Sequence, residues 1–384
     1  MEFLSGGRNR ILAISVENFS YKSVLFSKNT DAAQGGIDFF DSGNIINEFE
    51  VSERDLEKQA ERAFRKIFDK AAEARGKIDL CLIIFSAPWH ISETHKVEIT
   101  KQTAFAFTRQ DFDNVLKNED SAFVKNVKTG FNSDLKFIEG DIMKTLMNGY
   151  ETHFPFDKKA ETVKINIYIS AVQKNLFDRI NDLAKEQLGF SFENHKLKIK
   201  TRQMILFSVL RKKFDFENGF IFIDIGSEIT EITLIKNGYI EETTGFKKGR
   251  NFFIRRLMNG FNIEFHEAED MFKRHNADLT ESETNKKVGS ILSGAKNDWL
   301  SGFSEIIKAM SKDYFLPKIL AVFSPDMFLG KVFSGKDDLK INLFSEIKEV
   351  SCKDFFASGE YFDEKILNSF LFFEIAYLRD FNHF

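Results

Sequence analysis

Hydrophobic and polar positions alternate along the chain in two patterns, one typical of strands and one typical of helices. Short apolar runs at 11–15 and 21–26 predict two strands joined by a tight connection. A helical pattern follows at 51–75, where Ser52 and Asp55 predict a cap and Gly76 an end. The next run, "KIDLCLIIFSAP", is continuously apolar, as in a strand buried on both faces. This alternation of strands with helices predicts an α/β fold.

A different pattern occupies residues 91–165. Alternation at 97–107 predicts a strand, "TRQDFDNVLKNEDSAFVKNVK" a helix, and the runs "SDLKFIEGDI" and "IMKTLMNGYET" two further strands. The run "ETVKINIYIS" alternates well and closes the segment. We therefore expect a small α+β domain of strand–helix–strand–strand type, inserted into the larger fold.

The second half of the chain begins with helical patterns at 175–187 and 202–213, separated by a strand at 192–200. "GFIFIDI" and "EITLIK" predict paired strands, and Asn237-Gly238 predicts a two-residue hairpin turn into "YIEET". Beyond it the apolar spacing predicts several helices, then the strand "KILAVFS". The final helix is predicted in "DEKILNSFLFFEIAYLRDF".

Composition narrows the function classes without choosing one. The length of 384 residues predicts two or three domains, and a net charge of −4 gives no general reason to expect nucleic-acid binding. Two distant cysteines, Cys81 and Cys352, indicate neither a disulfide framework nor a zinc site, and fit a reducing cytoplasm. The N-terminus lacks a signal-peptide pattern, and no apolar run is long enough to span a bilayer.

The stretch "FIDIGSEIT" (222–230) carries the clearest candidate chemistry. Asp224 ends a strand, Gly226 permits positive φ and close backbone approach, and the loop amides can converge on a phosphate. The hydroxyls of Ser227 and Thr230 can add donors, while Asp224 can hold Mg²⁺ through water. The alternative interpretation, a glycine-containing β-turn with a solvated aspartate, stays open on spacing alone.

The longer stretch "FIDIGSEITEITLIKNGYI" resembles the second phosphate loop of the actin-like ATPase superfamily, in particular its FtsA and PilM branch. "GFKKGRNFFIRRLMNGFNIEFHEAEDMFK" resembles the glycine and helices that follow that loop, and "IIFSAPWHISETHK" the turn that leads into the small inserted domain of FtsA-type proteins. "IMKTLMNGYETHFPFDKKAETVKINIYIS" is similar to the end of that insertion. The resemblance covers roughly residues 10–325, in order.

The resemblance implies a two-lobed actin-like (ribonuclease H-like) ATPase fold with the inserted small domain, and a site for ATP and Mg²⁺. Gly249 would line the nucleotide cleft, and Glu269 would lie on the helix that approaches the nucleoside. The expected domains are a first lobe, the inserted domain, a second lobe and a helical subdomain. Their boundaries are 8–90 plus 166–205, 91–165, 206–250 plus 316–384, and 251–315.

The other half of the expected nucleotide site departs from the family pattern. In "ISVENFSYKSVLF" the first phosphate loop keeps only Ser20 and Lys22, whereas Ser15 replaces an aspartate and Glu17 a glycine. A carboxylate at Glu17 adds negative charge where phosphates would lie. In "ILAVFSPDMFLG" the segment Ser324–Asp326 replaces the glycines that would lie flat against adenine. The expectation is a partly degenerate site with weak or absent ATPase activity.

Two function classes follow. The first is a cytoplasmic actin-fold adaptor, FtsA-like or PilM-like, that links a membrane-associated assembly of cell division or the type IV pilus to the cytoplasm. The chain ends at "YLRDFNHF" without a polybasic segment, so we expect membrane contact only through partners. The inserted domain is the expected partner-binding part. The alternative is a genuine Mg-ATP-binding ATPase whose self-association into filaments is nucleotide-driven.

Overall fold

In the computed structural model the chain divides into two compact units. The structure describes residues 8–17, 20–29, 37–38, 45–50, 56–74, 77–126, 134–211, 214, 218–277, 282–323, 344–350, 355 and 372–380. The first unit contains the N-terminal sheet, the block of residues 90–173 (here the inserted block), residues 238–242 and the last helix, and the second contains most of the remaining sheet with its helices.

The sheet of the first unit is built around a continuously apolar strand. Its strands are β1 (Arg8–Val16), β2 (Ser20–Asn29), β3 (Ile37–Asp38), β4 (Ile45–Glu50), β5 (Leu80–Phe85) and β10 (Leu197–Thr201). The order is β10-β5-β1-β2-β3, with β4 also paired to β2, and β1 runs parallel to β5 and antiparallel to β2. Every residue of β5 is buried, including Cys81, as its apolar sequence predicts.

Helices α1 (Leu56–Glu73) and α3 (Lys174–Leu188) cover one face of this sheet. The apolar stripe of α1, including Phe64, Ile67 and Phe68, packs in one core with alternate residues of β1 and β5. Gly189 ends α3 in the left-handed conformation, at φ 68°. Helix α4 (Arg202–Leu210) follows β10 directly, and its cap is the Thr201 hydroxyl, which accepts from the Met204 amide.

The inserted block forms a separate four-stranded sheet with one helix. Its elements are β6 (His90–Phe107), α2 (Arg109–Asn126), β7 (Leu135–Met147), β8 (Tyr150–Glu151) and β9 (Lys158–Gln173), in the sheet order β6-β9-β7-β8. The two short strands expected at 133–142 and 142–152 are one long strand, β7, so that expectation is wrong. Register shifts against β9 occur after Phe137 and after Ile142, and such bulges locally break the alternation that a sequence pattern relies on.

The last helix, α8 (Phe372–Asp380), belongs to the first unit, although the sequence placed 316–384 in the second lobe. The reason is a buried ion pair: the Arg202 guanidinium donates to Glu374 at 2.8 Å, and neither side chain is more than 2% exposed. Separating the two side chains would leave an unpaired charge in the interior, which is strongly destabilising, so the ion pair fixes the position of the helix.

The second unit has a five-stranded sheet covered by helices. Its strands are β11 (Phe220–Ile225), β12 (Thr230–Lys236), β13 (Tyr239–Phe246), β14 (Ile319–Phe323) and β15 (Glu346–Glu349), in the order β13-β12-β11-β14-β15. The turn at Asn237-Gly238 has positive φ at both residues, as predicted. Helices α5 (Arg250–Phe261), α6 (Phe265–Asn276) and α7 (Ser282–Asp313) share one core with β11 and β12.

Within the described part of the chain, no helix combines the length and the apolarity that crossing a membrane requires.

Candidate functional site

The hairpin formed by β11 and β12, here the second-unit hairpin, carries most of the candidate residues. Asp224 is opposite Glu231 and Ile225 is opposite Thr230, so a four-residue turn, 226–229, joins the strands. The turn is closed by the Gly226 amide, which donates to the Ile229 carbonyl at 3.0 Å. Gly226 does not adopt positive φ; a Cβ there would lie 3.0 Å from that same carbonyl. The glycine therefore allows the Ile229 carbonyl to approach the backbone closely, and it is not required for a left-handed conformation.

Gly249 holds the start of α5 against the hairpin. Its amide donates to the Glu228 carbonyl at 2.8 Å, and a Cβ built on it would lie 2.5 Å from the Gly226 carbonyl oxygen. The next two amides, of Arg250 and Asn251, donate to the carbonyls of Gly226 and Ser227 at 2.9 and 2.8 Å. The first amides of a helix are the groups that most readily bind an anion. Here they are bonded to the protein itself.

Thr230 is fully buried, and its hydroxyl both donates and accepts a hydrogen bond. It donates to the Lys248 carbonyl at 2.8 Å and accepts from the Trp299 indole at 3.0 Å. A hydroxyl has one proton to donate, and Thr230 gives it to the backbone. The side chain of Thr230 therefore ties the hairpin to α7 and has no donor left for a phosphate.

Glu228, at the tip of the turn, is a site residue that the sequence reading missed. Its carboxylate accepts from the Asn251 amide group at 3.0 Å and from both terminal nitrogens of Arg255 at 2.8 and 2.7 Å. Bidentate pairing of this kind is strong and directional. The signal was present in the spacing, because Asn251 and Arg255 are four apart and share one face of a helix.

Glu269 on α6 contacts the start of α5. Its carboxylate accepts from Arg250 at 2.9 Å and lies 3.4 Å from the Lys273 ammonium. Asp224, Gly226, Ser227, Thr230, Gly249 and Glu269 thus all belong to the second unit, around one turn and one helix start. Asp224 and Ser227 are buried, at 3% and 6% exposure. Within the described residues, the amides of Ser227 and Glu228 donate to no backbone carbonyl.

Ser20 and Lys22 lie in the first unit, on the hairpin of β1 and β2, here the first-unit hairpin. The Glu17 amide donates to the Ser20 carbonyl at 2.9 Å, and Lys22 is opposite Ser15. The hydroxyls of Ser15, Ser20 and Ser86 are buried and have no hydrogen-bond partner in the described part of the chain. Buried hydroxyls without partners indicate room for a water or a polar ligand. Residues 18–19 and the expected adenine segment Ser324–Asp326 lie outside the described residues.

The inserted block has a groove of about 280 Å³ along β7. It is bordered by residues 140–145 of β7, by 151–156, by the start of α2 and by Arg211. On the side away from β9, β7 pairs in the described part of the chain with the two residues of β8, and residues 140–144, here the open edge, have no strand partner there. Within this edge the Met143 sulfur accepts from the Ile240 amide at 3.4 Å. Tyr150 and Phe154, next to the groove, are 81% and 78% exposed.

No protein-family model and no curated protein matches the chain. Among solved structures, a chain of a PilM–PilN type IV pilus biogenesis complex is similar at a TM-score of 0.58 and 11% identity, with 96% of this chain and 98% of that chain covered. A Bacteroides thetaiotaomicron protein with an actin-like ATPase fold and unknown function gives 0.43 at 9% identity, with 89% and 91% covered. EutJ from Carboxydothermus hydrogenoformans gives 0.41 at 13%, with 90% and 85% covered.

At these identities the comparisons concern the fold. They confirm the α/β fold expected from the resemblance to the FtsA and PilM branch: the chain has the actin-like ATPase fold.

Proposed function

We propose that this protein is an actin-fold adaptor that docks a segment of a membrane-associated assembly in the groove of its inserted block. One solved structure that shares the fold over nearly the whole chain comes from a PilM–PilN type IV pilus biogenesis complex. A pilus or cell-division assembly at the inner face of the membrane is therefore the proposed partner. The adaptor would be cytoplasmic and would reach the membrane through that partner.

The observation that carries the proposal is the open edge of β7 beside a groove. An extended segment can add to such an edge by main-chain hydrogen bonds, while pockets beside it select side chains. Exposed aromatic residues supply much of the binding energy in protein interfaces. Tyr150 and Phe154 are two of the three exposed large hydrophobic residues in the described part of the chain, and they are neighbours in sequence of the groove residues Glu151 and Pro155.

The charges of the groove favour an extended segment with carboxylate groups. Lys144 is paired with Glu151 at 3.1 Å, and the exposed Arg109 side chain lies 3.7 Å from Asp113; Arg211 is the third cation that lines the groove. Arg109 lies over the rings of Phe112 and Phe156, at 5.6 and 5.3 Å. A stacked guanidinium is held in place and still presents its N–H groups to a carboxylate.

The test uses labelled peptides from the cytoplasmic ends of membrane proteins encoded beside this gene, with binding to the full chain followed by fluorescence anisotropy. The double substitution Tyr150→Ala and Phe154→Ala should weaken binding by about tenfold or more. Phe315→Ala is the matched control, since Phe315 is 81% exposed and lies in the second unit. Equal loss in the control, or no loss in the double variant, would contradict docking at this edge.

A second candidate, Mg-ATP binding, is favoured by the buried hydroxyls without partners on the first-unit hairpin and by the turn amides of Ser227 and Glu228. Asp224, in the second unit, would hold Mg²⁺ through water. The test is thermal melting with and without Mg-ATP, because ligand at 100 times Kd stabilises by about 2.7 kcal/mol. Asp224→Ala should abolish the shift. No shift at millimolar Mg-ATP would exclude this candidate.

A further inference from the structure

A fully buried carboxylate joins the inserted block to β10. Glu139 on β7 accepts from the Thr201 amide at 3.2 Å, from the Thr201 hydroxyl at 2.8 Å and from the Ser170 hydroxyl at 3.1 Å. The ammonium of Lys200, on β10, lies 3.1 Å from its other oxygen. Thr201 also caps α4, so Glu139 fixes the start of that helix.

Lys200 is shared between two carboxylates. It also pairs with Asp141, which is 34% exposed and lines the groove. Two carboxylates beside one ammonium leave one surplus negative charge, and burial makes that charge expensive. Protonation of the more buried carboxyl, that of Glu139, removes this surplus negative charge. Burial, together with the negative charge of Asp141 and against the opposing charge of Lys200, raises the pKa of Glu139 to about 7.

The other groups that face this cluster are a lysine, two tyrosines and an arginine. Lys198, also on β10, has its pKa lowered by burial and by Lys200. Tyr377 on α8 has a pKa raised to about 12 by burial and stays neutral near pH 7. Tyr168 on β9 contributes a hydroxyl 2.9 Å from that of Thr201. On the groove side, burial raises the pKa of Asp141, but the charge of Lys200 and its hydrogen bond outweigh burial and lower it, and Arg109 on α2 adds a smaller lowering.

We propose that the buried Glu139 carboxyl gains and loses a proton and thereby sets the charge of the groove floor at Asp141 and Lys200. The inference extends the proposed function, because it gives the docking groove a regulator. When Glu139 is protonated the Lys200–Asp141 pair is neutral, and the groove accepts a segment with carboxylates more readily. When Glu139 is ionised, one negative charge remains next to the groove and disfavours that segment.

The proposal is tested without any partner, by following the Ile142 δ1-methyl resonance of the full chain as a function of pH. Ile142 lines the groove, and His153 is the histidine among the lining residues. The titration is therefore run in a His153→Gln background. We expect the Ile142 methyl shift to change with a midpoint near pH 7, as burial of Glu139 implies. Adding Glu139→Gln should flatten the curve.

A flat Ile142 curve in the His153→Gln protein, or one that persists after Glu139→Gln, would overturn the proposal. Should Glu139→Gln prevent folding, the side-chain carboxyl carbons of labelled glutamates in the His153→Gln protein give the same decision. One glutamate should titrate near pH 7, well above the ordinary value of about 4.3. Its absence would also overturn the proposal. Failure of the peptide-binding test leaves this titration unaffected, so the two outcomes remain distinguishable.

Discussion

The first-unit and second-unit hairpins have the same topology but differ in whether their polar side chains are hydrogen-bonded to the protein. In each, two antiparallel strands meet in a short turn, and the first strand pairs in parallel with the next strand of its sheet, β5 or β14. In the second unit the Thr230 hydroxyl and the Glu228 carboxylate are bonded to neighbouring helices and loops. In the first unit the hydroxyls of Ser15 and Ser20 are buried without partners in the described residues.

This difference shows that a phosphate-loop pattern in the sequence does not reveal whether the hydrogen-bond donors of the loop are free to bind a phosphate. The second-unit hairpin has the better pattern, yet the Thr230 side chain and the first amides of α5 stabilise the unit. The first-unit hairpin has lost the pattern, yet it retains buried groups that a ligand or water could satisfy. Four substitutions test this contrast.

Gly249→Ala should have the largest effect. The new methyl group would lie 2.5 Å from the Gly226 carbonyl oxygen and 2.6 Å from the Ser227 carbonyl carbon, both backbone atoms that cannot turn aside. Overpacking of this kind costs roughly 1–3 kcal/mol or more in the free energy of unfolding, measured by urea denaturation. Gly294→Ala is the control, because a methyl group there meets nothing within 4 Å inside α7, and alanine favours a helix by about 1 kcal/mol. Equal stability of the two variants would contradict the tight hairpin–helix contact.

Thr230→Val should destabilise the second unit by roughly 2 kcal/mol. The substitution keeps the shape and removes the hydroxyl, so the buried Trp299 indole N–H loses its acceptor and the Lys248 carbonyl loses a donor. Trp299 fluorescence during urea unfolding reports the change directly. Thr230→Ser is the control that retains the hydroxyl, and it should recover part of the loss. If valine and serine behave alike, the two hydrogen bonds do not stabilise this hairpin.

Glu228→Ala should cost about 1–2 kcal/mol in unfolding free energy. The carboxylate is 11% exposed and holds both Asn251 and Arg255, although Arg255 is 45% exposed and regains water when released. Arg256→Ala is the matched control, since Arg256 and Asp298 form a pair in which both side chains are about half exposed. Such surface pairs contribute about 0–1 kcal/mol. A larger loss of unfolding free energy in Arg256→Ala than in Glu228→Ala would contradict a stabilising role of Glu228 at the tip of the turn.

The fold was predictable from sequence to the extent that apolar patterns were continuous. The strands β5 and β11 and the helix α1 are long, regular and buried where expected. β7 was divided wrongly because its bulges interrupt alternation, and the buried ion pair between Arg202 and Glu374 could not be foreseen because its residues are 172 positions apart. The candidate site around Gly226 stays a prediction, and the hydrogen bonds of this hairpin were not predicted, since the partners Lys248, Arg255 and Trp299 come from later segments.

Ser15→Ala should have the smallest effect, and its sign sharpens the contrast with Thr230. The hydroxyl of Ser15 is buried without a partner in the described residues, so its removal should leave the unfolding free energy unchanged or raise it by up to about 1 kcal/mol. The same substitution should reduce any thermal shift that Mg-ATP produces, because the hydroxyl is then a lost ligand contact. A clear destabilisation without added ligand would instead mean that this hydroxyl is bonded to water or protein. In that case the buried hydroxyls of both hairpins would be hydrogen-bonded, and the contrast between the hairpins would not hold.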